Sequence, residues 1–351
     1  MVKKSNAALM KDINNNCKMH DRLLYIDIGA GIMILWVLLF HALQPVWGGE
    51  VIAHIPWLFY FMPWFFYKAG LLFQPKEIRT EWKNSAIKLL IPFAVWTFVG
   101  YMAHLGWLIY AHNLTWRTAI YSPMRSLFLS CAMQMNTALW FIPILFLVRG
   151  IGNMLLKKGN VIVWAIITLA ISIVFRIVHI PLLPNWIGGT CWGLFCFMAG
   201  YALKNHEQNK CVVIAAVVGL ALAFLFKLPA SNICNANILT KIFYYPACLC
   251  GCIVFDNVSL LIERLCKSLN ISKIGGGIGR NAMQLYLPHM IIFHLTYRII
   301  DIVAPSWYGH WQGLLVCLIA YIIFIPLLNI TINPLQDKLK QFASHHGKSR
   351  N

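Results

Sequence analysis

Ten apolar stretches, each of about the 20 residues needed to cross the roughly 30 Å hydrocarbon core of a bilayer, recur along this sequence with short polar pieces between them. They run over 28–46, 51–73, 86–111, 137–156, 161–178, 186–203, 211–228, 238–262, 280–300 and 312–333. An unpaired backbone amide is too costly in hydrocarbon for such stretches to be loops, and the alternation of a barrel strand is missing. The predicted fold class is therefore all-α: a polytopic transmembrane helix bundle of about ten helices. Composition closes off the alternative. With 60% hydrophobic and 11% charged residues, against roughly 25% charged in a soluble domain, little polar sequence is left to surround a water-soluble core. The chain divides into an N-terminal tail over 1–27, a membrane domain over 28–333 and a C-terminal tail over 334–351.

A net charge of +18 on a soluble chain would point to nucleic acid as partner. Topology accounts for it better here. Of the cations, 22 fall in the two tails and in the connections that begin at Lys76, Arg149, Lys204 and Arg264, whereas 6 (Arg117, Arg125, Arg176, Lys227, Lys241 and Arg298) fall in the alternate connections. Cytoplasmic loops retain positive charge, so both termini are expected in the cytoplasm of a multi-pass protein of the inner (plasma) membrane. Its surroundings are then membrane lipids, with no nucleic acid, and a homodimer is allowed. The polar stretch before the first helix argues against a cleaved leader.

Most of the cysteines, Cys191, Cys196, Cys248, Cys250, Cys252 and Cys317 among them, sit inside predicted helices as small apolar fillers. Cys234 is the clearest outward-facing one. A spacing of two disperses Cys248, Cys250 and Cys252 around a helix. With no HxH, HExxH or paired-cysteine motif, no metal site is expected.

Ionisable residues inside a span are expensive, so each is a candidate site. Asp27 and His41 bracket the first helix; His41 lies roughly 21 Å along it from the cytoplasmic boundary. His289, in Leu285-Tyr286-Leu287-Pro288-His289, lies roughly 13 Å into the ninth helix from the same side, so the two imidazoles can share one layer of the bundle. Pro288 should open that helix and free a carbonyl. His104 and His294 read as structural, and His20, His206, His345 and His346 as solvated. Lys68 lies within the second span, where it snorkels or meets an anion. Lys76, Arg79, Lys83 and Lys88 serve as positive-inside anchors or, as a group, as phosphate holders. Gly275-Gly276-Gly277-Ile278-Gly279 lacks a dinucleotide or P-loop spacing and reads as a flexible entry to the ninth helix.

These segments, taken in order, resemble the integral-membrane acyltransferase-3 family, which O-acylates glycans and other surface acceptors. The resemblance is carried by Arg22-Leu-Leu-Tyr-Ile-Asp27 with His41, Phe66-Tyr67-Lys68-Ala69-Gly70, Lys88-Leu-Leu-Ile-Pro92 with Trp96, Ala138-Leu139-Trp140-Phe141-Ile142-Pro143, Phe197-Met198-Ala199-Gly200-Tyr201, and Ile278-Gly279-Arg280-Asn281 leading to Tyr286 and His289. It implies acyl-CoA, usually acetyl-CoA, as a cytoplasmic donor substrate, and a hydroxyl of a glycan or lipid-linked glycan as acceptor, with no metal. His41 is then the essential histidine and general base, with His289, Tyr286 and Asn281 completing the catalytic set. Asp27, Lys68, Arg79, Lys83, Lys88 and Arg280 are the candidate donor-binding residues. The family usually has Arg or Lys where this chain has Ala30, and often a basic pair where it has Ser85 and Lys88, so Lys68, Lys83, Lys88 or Arg280 must stand in. An acyl-histidine intermediate is a variant of the same scheme. The rival readings are a secondary transporter that uses the same intramembrane polar residues, and a catalytically silent family member. The connection over 112–136 offers aromatic residues either to sugars or to the membrane interface.

Overall fold

The structure, a computed structural model, describes residues 24–178, 183–204, 209–228, 238–266 and 271–345. Arg22, His20, His206, Cys234 and His346 lie outside the described residues, as does the N-terminal tail up to residue 23. The described residues are mainly helical, joined by turns and short irregular connections, with one isolated bridge between Met133 and Asn136. Among the described residues, six helices are long and apolar enough to cross a membrane: Leu24–Leu43, Ile78–Tyr110, Thr137–Lys158, Asn185–Leu203, Thr240–Leu265 and Trp311–Ser344. Val161–Ile177 and Lys210–Leu225 are shorter apolar helices.

In chain order the helices that position the site are α1 (Leu24–Leu43), α2 (Phe61–Leu71), α3 (Ile78–Tyr110), α4 (Ser122–Ser130), α5 (Phe141–Lys158), α6 (Val161–Ile177), α7 (Asn185–Leu203), α8 (Lys210–Leu225), α9 (Ile238–Leu265), α10 (Ile271–Arg280), α11 (His289–Val303) and α12 (Trp311–His345). Their ends follow local chemistry. Asn160 and Asn209 cap α6 and α8 by accepting from the amides of Ile162 at 2.8 Å and Cys211 at 3.0 Å. Glu77 caps α3 through the Thr80 amide at 3.0 Å, and the hydrogen bonds from Thr80 hold its carboxyl below the usual range.

Three apolar stretches differ from simple spans. The stretch 51–73 is a short helix, Val51–His54, then a tight turn, Pro56–Tyr60, before α2, because Pro56 can start a helical turn but cannot continue the one before it. The stretch 280–300 breaks at Leu287 and Pro288. The last helix runs on past 333 to His345, through Pro326 and Pro334. The connection 112–136 contains a wide helical turn, Arg117–Tyr121, leading into α4.

Helix α7 packs against α2, α5 and α6, and α8 against α9. The α2–α7 contact is made backbone to backbone. A Cβ at Gly70 would fall 1.9 Å from the Phe197 carbonyl oxygen, and one at Gly200 would fall 2.1 Å from that of Tyr67. Small residues that let backbones approach are how helices associate where lipid removes the hydrophobic incentive. The segments Phe66–Gly70 and Phe197–Tyr201 are therefore two halves of one packing joint. Outward faces stay apolar, with Ile214, Val217 and Val218 on α8 and Ile319, Ile322 and Ile323 on α12 exposed. These faces suit hydrocarbon.

Candidate active site

Proline 288 supplies the first feature. It lacks an N–H and its ring crowds the preceding turn, so the helix parts into Ala282–Tyr286 and α11. Three successive carbonyls at the break are met by side chains. Leu285 O accepts the Tyr321 hydroxyl at 2.9 Å, Leu287 O accepts the Asn136 amide at 2.9 Å, and Tyr286 O is bonded to Nδ1 of His289. The Tyr286 hydroxyl in turn donates to Ala138 O. The break is thus tied to α12 and to the entry of α5. A carbonyl can only accept, so the neutral His289 ring carries its proton on Nδ1 and its lone pair on Nε2. That Nε2 is buried without a partner.

His41 projects from α1 beside it, with ring centroids 5.2 Å apart and planes at 44°. Nδ1 of His41 is likewise buried and unpartnered, while Gln44, one turn on, hydrogen-bonds the imidazole. Phe40 packs edge-on to the ring at 5.1 Å. The bundle therefore holds two imidazole nitrogens in close company, neither supplied with a donor by the protein. His294 bonds Met135 O through Nδ1 at 3.3 Å, and His104 bonds Thr118 O through Nε2 at 3.2 Å, so both tie elements together.

A cavity of about 320 Å³ is lined among others by Ile34, Lys68, Arg149, Arg280, Met283 and Tyr286, and neither His41 nor His289 is among its described lining residues. Three cations stand on its wall. Of its lining residues, Tyr286 lies 5.3 Å ring to ring from His289, and Ile34 is two turns before His41 on the same helix face. Lys68 interacts with the carboxylates of Asp27 and Asp256, and its ammonium lies 5.6 Å from the Trp64 ring. Trp64 donates its indole N–H to Asp256 at 2.8 Å. Arg280 reaches Asp27 at 3.8 Å.

Arg280 arrives there because α10 lies directly on α1. A Cβ at Gly279 would be 1.7 Å from the Asp27 carbonyl oxygen. The expectation that Gly275–Gly279 forms a flexible entry is corrected: these residues belong to a helix, and Gly279 is glycine because α1 leaves no room for a side chain. Arg149 is held by Glu81, whose Oε1 lies 2.9 Å from Nη2 and 3.0 Å from Nε and also accepts the Ser85 hydroxyl at 2.7 Å.

The candidate residues do not all converge. His41, His289 and Tyr286 come together, and Asp27, Lys68 and Arg280 gather at the cavity. Arg79, Lys83 and Lys88 are exposed and do not line it. Asn281 is exposed, its amide donating to Gly277 O at 3.0 Å, away from the histidine pair. Arg149, Glu81, Asn136 and Asp256 escaped the sequence reading. Asp256 carried a usable signal, a carboxylate within an apolar run, as did Glu81 within a basic connection. Among the described residues no group of three or more His, Cys, Asp or Glu is gathered to hold a metal.

A family model described as an acyltransferase domain matches residues 23–329. No curated protein and no solved structure matches the chain.

Proposed function

The chain belongs to the acyltransferase-3 family and is a membrane acyltransferase, and from that premise we propose that it carries an acetyl group from cytoplasmic acetyl-CoA to a hydroxyl of a surface or lipid-linked polysaccharide. In this reading ten spans cross the inner membrane with both termini in the cytoplasm. The observation that carries it is a cation-walled cavity one side chain, Tyr286, away from a pair of imidazoles with unpartnered buried nitrogens. Its volume of about 320 Å³ is at the small end of ligand cavities, which run from about 300 to 1,000 Å³. It suits a pantetheine arm, with the nucleotide left at the surface near the exposed Arg79, Lys83 and Lys88. Lys68, Arg149 and Arg280 supply positive charge along the arm's path toward Tyr286 and the histidines.

His41 acts as general base. Two lone-pair nitrogens without donors fit a ligand that brings its own O–H, as an alcohol does. Nδ1 of His41 takes that proton while the alcohol oxygen attacks the thioester carbonyl. The tetrahedral adduct then collapses, the C–S bond breaks, and the departing thiolate recovers the proton from the imidazolium. His289, its tautomer fixed by Tyr286 O, orients the acceptor by accepting at Nε2 from a second, neighbouring hydroxyl of the glycan. The Tyr286 hydroxyl is committed to Ala138 O, so it is not free to donate to the developing oxyanion.

The test is transfer of label from acetyl-CoA to the glycan fraction of membranes that contain the protein. His41→Ala should lower the rate by about 10²–10⁴-fold, the usual contribution of a general base, with protein level unchanged. Full activity in that variant would overturn the assignment.

A further inference from the structure

A second cavity, of about 590 Å³, lies beside the N-terminal half of α5. Trp140 and Ile144 line it, whereas Phe141, Leu145 and Arg149 line the first, so the two hollows lie against different faces of that helix. The remaining walls come from α4 (Arg125), the end of α6 (Ser172, Arg176), the start of α7 (Asn185, Trp186, Trp192) and Tyr245 of α9. This is a different chemistry from the first cavity. Two guanidinium groups meet five aromatic side chains, Phe175 among them, and no Asp or Glu is among the described lining residues.

The parts are held in place. Tyr245 accepts from Nε of Arg176 at 3.2 Å and sits 3.4 Å from Ser172 O, which fixes the direction of that guanidinium. Trp186 donates to Phe128 O at 3.1 Å, pinning the start of α7 to the end of α4. Trp192 is the exception. Its indole N–H is buried without an acceptor, a condition that native interiors avoid unless something else supplies the acceptor. An aromatic-walled hollow with a buried donor awaiting an acceptor asks for a flat-faced, hydroxyl-bearing ligand. Two arginines ask for a carboxylate or phosphate on it, since the planar fork matches both.

We propose that this cavity binds an acidic sugar unit of the acceptor, a uronate or sugar phosphate, with Arg125 and Arg176 on the acid group and the tryptophans on the ring. The proposal rests on the acyltransferase reading only in calling this sugar the acceptor; the binding site itself does not depend on His41. A polyanionic glycan is thereby favoured over a neutral one, and the acid group anchors the chain while a neighbouring hydroxyl reaches the histidines.

The experiment uses the full chain in detergent and isothermal titration with a glucuronate-containing disaccharide, its neutral glucose counterpart, inorganic phosphate, and phosphatidylglycerol in mixed micelles. The acidic disaccharide should bind at least tenfold more tightly than the neutral one. Arg125→Gln, at an exposed position, and Trp192→Phe, which keeps the ring and removes the N–H, should each weaken it several-fold. Equal binding of the neutral sugar, indifference to both substitutions, or displacement of the acidic sugar by phosphatidylglycerol or phosphate at similar concentration would overturn the proposal, the latter two by assigning the arginines to a lipid headgroup or a free ion. His41→Ala should leave this titration unchanged. Intact binding by a parent protein, with His41 in place, that transfers no acetyl group would sink the catalytic reading and sustain the site.

Discussion

Removing Arg149 should damage the protein in two ways that can be separated. Its guanidinium is 31% exposed and lies against Glu81, whose side chain is 1% exposed. Glu81 Oε1 takes two hydrogen bonds from Arg149 and one from Ser85. Arg149→Met would leave the carboxylate buried with a single hydroxyl partner. Breaking a buried ion pair by removing one member costs about 3–5 kcal/mol, and the partial exposure of Arg149 places this case near ~3 kcal/mol. Replacing both members, Glu81→Leu with Arg149→Met, removes the stranded charge, and such exchanges are often neutral, so stability should return to within about 1 kcal/mol of the parent. The cavity loses one of its three cations in either variant. A charged contact to coenzyme A worth about 1.4 kcal/mol corresponds to a tenfold weaker donor. Thermal unfolding in detergent, followed by tryptophan fluorescence, should therefore show a fall of several degrees for the single variant and recovery for the double. Initial rates of acetyl transfer should show KM for acetyl-CoA raised about tenfold in both. A double variant as unstable as the single would refute the stranded-charge argument, and a double variant with parental KM would remove Arg149 from the donor's path.

Three further substitutions probe the break at Pro288 and the mouth of the cavity. His289→Asn retains a donor for Tyr286 O but lacks the distal nitrogen; thermal stability should stay close to the parent while transfer falls at least tenfold, and unchanged transfer would show that Nε2 is not used. Asn136→Leu strands the buried Leu287 carbonyl, which costs about 1–3 kcal/mol, so the unfolding temperature should drop; an unaltered temperature would mean that another donor reaches that carbonyl. Gly279→Ala puts a methyl 1.7 Å from the Asp27 carbonyl oxygen. Overpacking costs about 1–3 kcal/mol, and backbone yields less than side chain, so both stability and donor affinity should suffer. Parental behaviour would show that α10 is free to move off α1.

Hydropathy made the helical class legible because hydrocarbon imposes one demand on every residue of a span. It also allowed His41 and His289 to share the middle to outer layer of one bundle, since helix rise converts sequence distance directly into length. What it left out depends on partners remote in sequence. Asn136 matters because Leu287, 151 positions away, has a carbonyl to satisfy. Arg149 counted as one more cytoplasmic cation until Glu81, 68 positions away, oriented it into the cavity. The glycine run before Arg280 was misread for the same reason. A flexible segment and a tight helix crossing both select glycine, and only the position of α1 distinguishes them.

The same logic bears on Ala30, where the resemblance leads one to expect a cation. Ala30 is fully buried, and the adjoining Gly31 has its Cβ site 2.6 Å from the Gly275 carbonyl oxygen. That stretch of α1 is given over to backbone contact with α10, which leaves little space for a long charged side chain. Yet Asp27, three residues earlier, still needs a counter-charge, because a lone carboxylate inside a bundle is costly. The approach of α10 that crowds this stretch also delivers Arg280 to 3.8 Å from Asp27, while Lys68 interacts with the same carboxylate from α2. The charge balance around Asp27 is thus met from neighbouring helices, and both substituting cations also line the cavity. A cation missing from α1 does not by itself imply a silent protein. The position that must stay positive is a point in space beside Asp27, and three helices have access to it.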